Sequence, residues 1–448
     1  MECFMLTLTQ CLSSAVAAIG FCACGLSSAA YAQSSTLPAR LSSDDLIEIV
    51  LSENPGLMGI EERANAAMAR VEIAGVLDDP TLSYSLAPGT VSNSEVPTGH
   101  KVDLSQSLPW PGKRAAQKDA ARARANIAQA TTELHRLTVI AATKSAFAEW
   151  YFIHEALRIN KDNQLLLDDL VVSAASQYAA GNGSQQDVLH AELERVQVEN
   201  RYHVVRQRYA VIQANLNALM NRQPRASLPP PSPLDAKQTL PPAPKLIALA
   251  STQHPELRKL EFVVAEKEAD LLWAKKETYP DFRVSAGYNS LWQLQEKRWT
   301  LGVSINIPLD QSRHRAEARA AASERRSARW EVTDRRGELL SALVGAYAEV
   351  EHAYRSITLY QDQLLPLSRD RLVAAIDEFE AGSGDFLHVI DAERDKLRIE
   401  SALFRALADL HRKRAELELR VGGRLPASNP DVDSELRQHP NQDSGDGA

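Results

Sequence analysis

Beyond residue 24 this chain has no cysteine; the four it contains are Cys3, Cys11, Cys22 and Cys24. No disulfide and no thiolate metal site can therefore hold the remainder together. Aromatic residues make up only 6% of the chain, too few for a core of bulky side chains, whereas alanine comes in runs that suit close helix packing. Basic residues do not outnumber acidic ones: 50 against 58 leaves a net charge of -8, which excludes nucleic acid as a partner. After residue 32 there is no apolar run of the ~18 residues that a membrane-spanning helix needs. Phosphate-loop, His-Glu-x-x-His and serine-elbow motifs are also missing, and the paired carboxylates lie on helix faces. The chain thus reads as no enzyme, with no cofactor and no metal site.

Residues 1–32 read as an export signal. Leu12 to Leu26 is apolar and small, and Ala30-Tyr31-Ala32 supplies a small-x-small cleavage pattern before Gln33. Its start departs from the usual basic one, since Glu2 is the sole charge before Arg40.

What is present is said twice, about 200 residues apart, far beyond the ~20–50 residues of a solenoid repeat. Leu46 and Pro55 recur as Leu246 and Pro255, Pro80 as Pro280, and Leu108-Pro109 as Ile307-Pro308. Gly181-x-Gly183 with Ala191-Glu192 recurs as Gly382-x-Gly384 with Ala392-Glu393. The halves span residues 33–220 and 245–426. Between them, residues 221–244 hold eight prolines and read as an extended strap, and the polar tail 427–448 reads as disordered.

Each half runs in the same order. A helix interrupted by Pro55 or Pro255 comes first. Period-two alternation follows, at Leu82, Tyr84, Leu86 and Val102 to Leu108, then at Phe282 to Tyr288 and Trp299 to Ile307. Next comes a very long helical stretch: Lys113 to Ala180 without proline or glycine, and Ser312 to Ala381 with Gly337, Gly345 and Pro366. At 1.5 Å per residue each stretch would be about 100 Å long. Heptad-like spacing at Leu134, Leu137, Ala141, Phe147 and Tyr151 predicts coiled-coil packing. A glycine turn then leads to a returning helix marked by Leu189, Leu193 and Val196, or by Leu387, Ile390 and Leu397.

Four alternating strands with no other β-rich partner suit a membrane sheet, yet four cannot close a barrel and hydrocarbon tolerates no open edges. Three copies would supply twelve strands and twelve helical positions beneath them. The fold class expected is mainly α with membrane β, a duplicated strand-pair and long-helix repeat. As a trimer it would form a 12-stranded β-barrel continuous with a 12-helix α-barrel tunnel.

This duplicated order, the aromatic-x-x-glycine turns and the stretch Asp187 to Glu192 resemble the TolC family of outer membrane efflux factors. The resemblance covers nearly all the chain after the signal. It implies a homotrimer in outer membrane lipid, with its tunnel in the periplasm. It also implies docking to a periplasmic membrane-fusion adaptor and, through that, to an inner-membrane pump of the RND type. Ser105 to Arg114 resembles the strand-to-helix junction of the heavy-metal branch, which would make divalent metal cations the cargo. The rival reading is a soluble periplasmic coiled-coil adaptor or scaffold.

Candidate site residues lie at the tip. Asp187 and His190 sit one helical turn apart; His388 and Asp391 repeat them with identities exchanged. In the family the latter two positions line the periplasmic gate, where Asp391 keeps the acidic pattern and His388 departs from it. Rings of Asp and His would respond to acidity. The turn residues Gly181, Asn182, Gly183, Ser184, Gly382, Ser383, Gly384 and Asp385 are the expected adaptor contacts. Basic runs after each strand pair, Lys113 to Arg124 and Arg313 to Arg329, could meet lipid headgroups or form a solvated, paired helix face.

Overall fold

The structure is a computed structural model that describes residues 37–91, 98–236, 240–292, 294–381 and 383–426. In the first half, α1 (Ser43–Glu53) and α2 (Pro55–Ile73) lead into β1 (Thr81–Leu86) and β2 (His100–Leu108). Then come α3 (Lys113–Ala179) and α4 (Gln185–Leu219). The second half repeats the order with α5 (Ala243–Gln253), α6 (Pro255–Lys276), β3 (Asp281–Asn289), β4 (Trp299–Asn306), α7 (Gln311–Leu359), α8 (Leu365–Glu380) and α9 (Phe386–Val421). Among the described residues no helix is long and apolar enough to cross a membrane.

Helix α3 runs unbroken for 67 residues because nothing in it removes a backbone donor or favours a turn. Its counterpart differs from the expected single helix. Between α7 and α8, residues Tyr360–Leu364 form a wider π turn. Pro366 explains it: the ring lacks an N–H and would crowd the carbonyl of Asp362 in a regular α-helix. Pro55 and Pro255 are accommodated without distortion, each at the first turn of its helix.

Each half is tied shut at the same place by different chemistry. Asn54 caps α2 by accepting the Leu57 N–H at 3.0 Å, while its amide donates to the Leu219 carbonyl at 3.1 Å. Two hundred positions on, His254 caps α6 by accepting the Glu256 N–H on Nδ1 at 3.2 Å. Its Nε2 lies 3.1 Å from the Leu419 carbonyl. With Nδ1 accepting, Nε2 carries the proton and the ring is neutral. Both residues thus join the start of the second helix to the end of the returning helix. The proline-rich strap runs alongside, its Pro230 carbonyl accepting the Leu41 N–H and its Pro229 carbonyl accepting Trp150 Nε1–H.

The four strands pair antiparallel in the order β1-β2-β3-β4. Their register lines up Leu82, Leu104, Ala286 and Leu301, and next to them Tyr84, Val102, Tyr288 and Trp299. The opposite face carries Ser83, Asp103, Gly287 and Thr300. One face is therefore apolar and the other polar, with Leu301 89% exposed and Trp299 73%. Aromatic rings mark both ends of the apolar face. Tyr288 and Trp299 lie 5.2 Å apart at one end; Trp110 stacks on Tyr279 at 5.1 Å and on Phe282 at 5.8 Å at the other.

Among the described residues, helix packing buries two clusters. One joins α5, α6, α7 and α9 through Leu246, Leu257, Leu343, Leu410 and Leu417. The other lies near the helical tip and joins both hairpins through Leu167, Ala191, Val198, Phe379, Phe386 and Val389. The returning helix α4 buries a face other than the one its leucines mark. Ala191 and Val198 are buried, whereas Leu189, Leu193 and Val196 are exposed. Small Ala191 allows close approach inside the chain, and the larger apolar residues are left as an outward stripe.

Burial pushes the pKa of His254 down, so the folded chain holds that proton less tightly than the unfolded one. Stability from this residue is complete above the unfolded value of about 6.5 and drains as pH falls towards the lowered folded value. The melting temperature of the wild-type protein is therefore expected to fall over that acid window. His254→Asn, which installs the solution used by Asn54, should give a shallower fall. An identical pH slope in the variant would disprove the assignment.

Candidate functional site at the helical tip

The α3–α4 turn is built by glycine. Gly181 has φ +78°, the left-handed conformation that closes a helix, and the Asn182 N–H donates to the Gln177 carbonyl at 2.9 Å. Ser184 then starts α4, accepting the Asp187 N–H on its hydroxyl, while the Asp187 carboxylate accepts the Ser184 N–H at 2.8 Å. This reciprocal pair satisfies two donors that a helix start leaves open. In the second turn Ser383 N–H donates to the Glu378 carbonyl at 3.1 Å, and Asp385 caps α9 through the Leu387 N–H. A Cβ on Gly384 would stand 2.9 Å from the Glu378 backbone, so a side chain has no room there. Gly382 lies outside the described residues. Asn182, Ser184, Ser383 and Asp385 are exposed, while Gly183 is half-buried against Gln177.

The two sequence pairs meet different surroundings. Asp187 is committed to its cap and turned back from His190, whose Nε2 approaches the Gln186 amide nitrogen at 3.3 Å. His388 and Asp391 are exposed on α9. Asp391 lies 3.8 Å from Arg394 one turn along its own helix. Arg394 also bonds Glu194 of α4, so the exposed acid of the second hairpin is linked through one guanidinium to a buried acid of the first. Among the described residues no group of three or more His, Cys, Asp or Glu is placed to hold a metal ion.

Glu194 carries no mark in the sequence reading, and Glu393 enters it only as part of the repeated Ala392-Glu393. A signal for Glu194 was available: it falls on the buried side of α4 between Ala191 and Val198, three residues after one and four before the other. A charge at such a position marks either a mispacked helix or an ionic contact. The partner could not be read, because it comes from a helix about 200 residues away.

At the other end of the helices, the strand-to-helix junction is also ionic. Asp281 accepts the Trp110 N–H at 2.8 Å and the Lys113 ammonium at 3.0 Å, and Glu277 lies 3.3 Å from the same ammonium. Lys113 is only 4% exposed. It thus faces inward, unlike the surface run to which its sequence neighbours belong. Several members of that run are paired. Arg124 meets Glu266 at 2.6 Å, Arg313 meets Glu317 at 2.9 Å and Arg329 meets Glu268 at 2.6 Å. A paired helix face accounts for these three arginines.

Comparison with known proteins agrees with this geometry. The sequence profile described as "Outer membrane efflux protein" matches residues 46–222 and again 246–423. Nodulation protein T of Rhizobium leguminosarum bv. viciae is 23% identical over 406 residues, covering 84% of this chain and 81% of the relative. The cobalt-zinc-cadmium resistance protein CzcC of Cupriavidus metallidurans is 23% identical over 359 residues, covering 80% and 83%. Among solved structures, the Neisseria gonorrhoeae MtrE outer membrane channel superposes with a TM-score of 0.73 at 18% identity, covering 86% of this chain and 89% of that one. With the profile matched across both halves, the chain belongs to the outer membrane efflux protein family.

Proposed function

We propose that three copies of this chain form the outer membrane conduit of a tripartite efflux system, closed at the helical tip by residues of α9. The observation that carries the reading is the sheet. It exposes an apolar face rimmed by aromatic rings, and among the described residues both its outer strands, β1 and β4, have an unpaired edge. In lipid each unpaired N–H and C=O costs several kcal/mol, and closure into a barrel removes the edges. Three sheets side by side give twelve strands. The apolar alternation of β4 continues through Ile307 to Leu309, ten residues from Trp299. Extended at ~3.4 Å per residue and tilted ~40°, that length matches the ~25 Å apolar band of an outer membrane barrel. The exposed stripe of Leu189, Leu193 and Val196 suits helix contacts between copies.

The passage itself supplies little selectivity. On the polar sheet face Lys101 is paired with Asp103 at 2.8 Å, and Asp281 with Lys113, so opposite charges offset one another. Substrate choice would rest with the inner-membrane pump, reached through an adaptor that grips the exposed turn residues. The junction Ser105 to Arg114 and the similarity to CzcC favour divalent metal cations as cargo.

If the faces are as assigned, Leu301→Lys places a charge in lipid at a cost of about 2–4 kcal/mol, whereas Thr300→Lys points to water. The first variant is expected to lose the heat-sensitive trimer band from outer membrane extracts and the second to keep it; equal behaviour, or wild-type chain found free in the periplasm, would refute the channel. For the gate, Asp391→Ala and His388→Ala should raise closed-state conductance in planar bilayers about twofold or more, the low end of coupling between contacting residues. Unchanged conductance in both removes these residues from the gate. For the cargo, a host without the gene is expected to tolerate less cobalt, zinc and cadmium, and unaltered tolerance would exclude those metals.

A further inference from the structure

Below the sheet the helices pack side by side in the order α2, α3, α6 and α7. The middle contact, α3 against α6, joins the first half of the chain to the second. Among the described residues α2 and α7 each keep one side without a helix against it. Trp330 of α7 is 73% exposed, and Met58, Gly59, Glu62, Ala66 and Arg70 of α2 are exposed as well.

The duplication fixes which residues a partner would meet there. Inside each half, matching contacts fall 200 residues apart on both helices. Gln129 reaches Met68 as Arg329 reaches Glu268, and His135 stands beside Gly56 where Arg335 meets Glu256. The α3–α6 contact can therefore be transposed, forward by 200 on the long helix and back by 200 on the short one. The result is α7 of one copy against α2 of another. At one edge of the internal contact Arg124 meets Glu266 at 2.6 Å and stands 3.7 Å from Asp270. Transposed, these three become Glu324, Ala66 and Arg70. The ion pair thus returns with its signs exchanged, acid on the long helix and base on the short one. Arg70 meets no acid in its own chain among the described residues. Glu324 gives one oxygen to Lys267 at 2.9 Å, and a carboxylate accepts further donors through the other.

Size is exchanged too. At the other edge Glu133 meets Arg258 at 3.0 Å, and Ala130, one turn away on α3, is level with the turn that follows Arg258. Trp330 stands where α3 has Ala130, and Gly59 stands where α6 has Lys259. A Cβ on Gly59 would meet nothing within 4 Å, so that side of α2 has room for an indole.

We propose that α7 of one copy packs against α2 of the next in the register of the internal α3–α6 contact, with Glu324 paired to Arg70 and Trp330 set over Gly59. The proposal rests on the reading that three copies close a ring, and it adds the register and what enforces it. Halves so alike in path invite exchange between copies, as in domain swapping. The exchanged signs oppose it. If α3 took a neighbour's α2 in place of its own α6, Arg124 would face Arg70. If α7 took a neighbour's α6, Glu324 would face Glu266 and Asp270. Like charges set against the wrong partner keep first and second halves alternating around the ring.

The test uses the full-length chain in outer membrane extracts. No cysteine follows residue 24, so introduced thiols report without background. Ala66→Cys combined with Glu324→Cys should give a covalent trimer with a short thiol-reactive crosslinker, and either cysteine alone should not. Arg70→Glu and Trp330→Ala should each lower the temperature at which the trimer band dissociates by about 2 °C or more. Adding Glu324→Arg to Arg70→Glu should restore it. A trimer band that neither single variant shifts overturns the register and leaves the conduit standing, as does a crosslink from these positions to a different protein. Wild-type chain with no trimer band overturns both. Should Glu324→Arg disturb its own chain through Lys267, absence of the crosslink between positions 66 and 324 still overturns the proposal.

Discussion

Hydrocarbon offers no hydrogen bonds, and this constraint organises the molecule. A sheet of four strands leaves two rows of backbone groups without partners, which water can satisfy and lipid cannot. The chain spends few residues on the sheet and most of them on helices far longer than a membrane requires. The junction between the two regimes is held by ions. Asp281 takes both a backbone N–H and a buried ammonium at the point where strand becomes helix, which ties the sheet to the helices below it. Lys113 can be buried there because Asp281 and Glu277 offset its charge.

Duplication explains the rest, including its exceptions. Asn54 and His254 do one job with two chemistries, and only the second makes closure of its half sensitive to acid. At the tip, equivalent positions diverge further: Asp187 serves a helix cap, whereas Asp391 is exposed and tied to an arginine. Two halves of one chain can be alike in path and unlike in electrostatics.

Much of this was legible in the sequence, for identifiable reasons. Alternation at Trp299 to Ile307 and the long stretch free of proline and glycine set strand and helix by period alone. Gly181 announced its turn because only glycine takes that backbone conformation cheaply. The buried face of α4 was not legible. Its leucines drew attention, but close packing selected Ala191, and side-chain size at a contact depends on the neighbour. The Glu194–Arg394 bond was hidden for the same reason, since it joins residues far apart in the chain. Asp187 takes the nearest donor, the backbone N–H of Ser184, a local contact that spacing to His190 does not reveal.

The π turn at Tyr360–Leu364 has a consequence for length. The offset between the halves is 198 residues where each long helix begins and 201 where it ends, so the second stretch holds three residues more. In a regular helix that surplus would push its tip about 4.5 Å past the first. A wider turn stores part of the surplus as girth. Pro366, which reads as a flaw in a helix, works like a tuck in cloth: it takes up length on the longer of two edges.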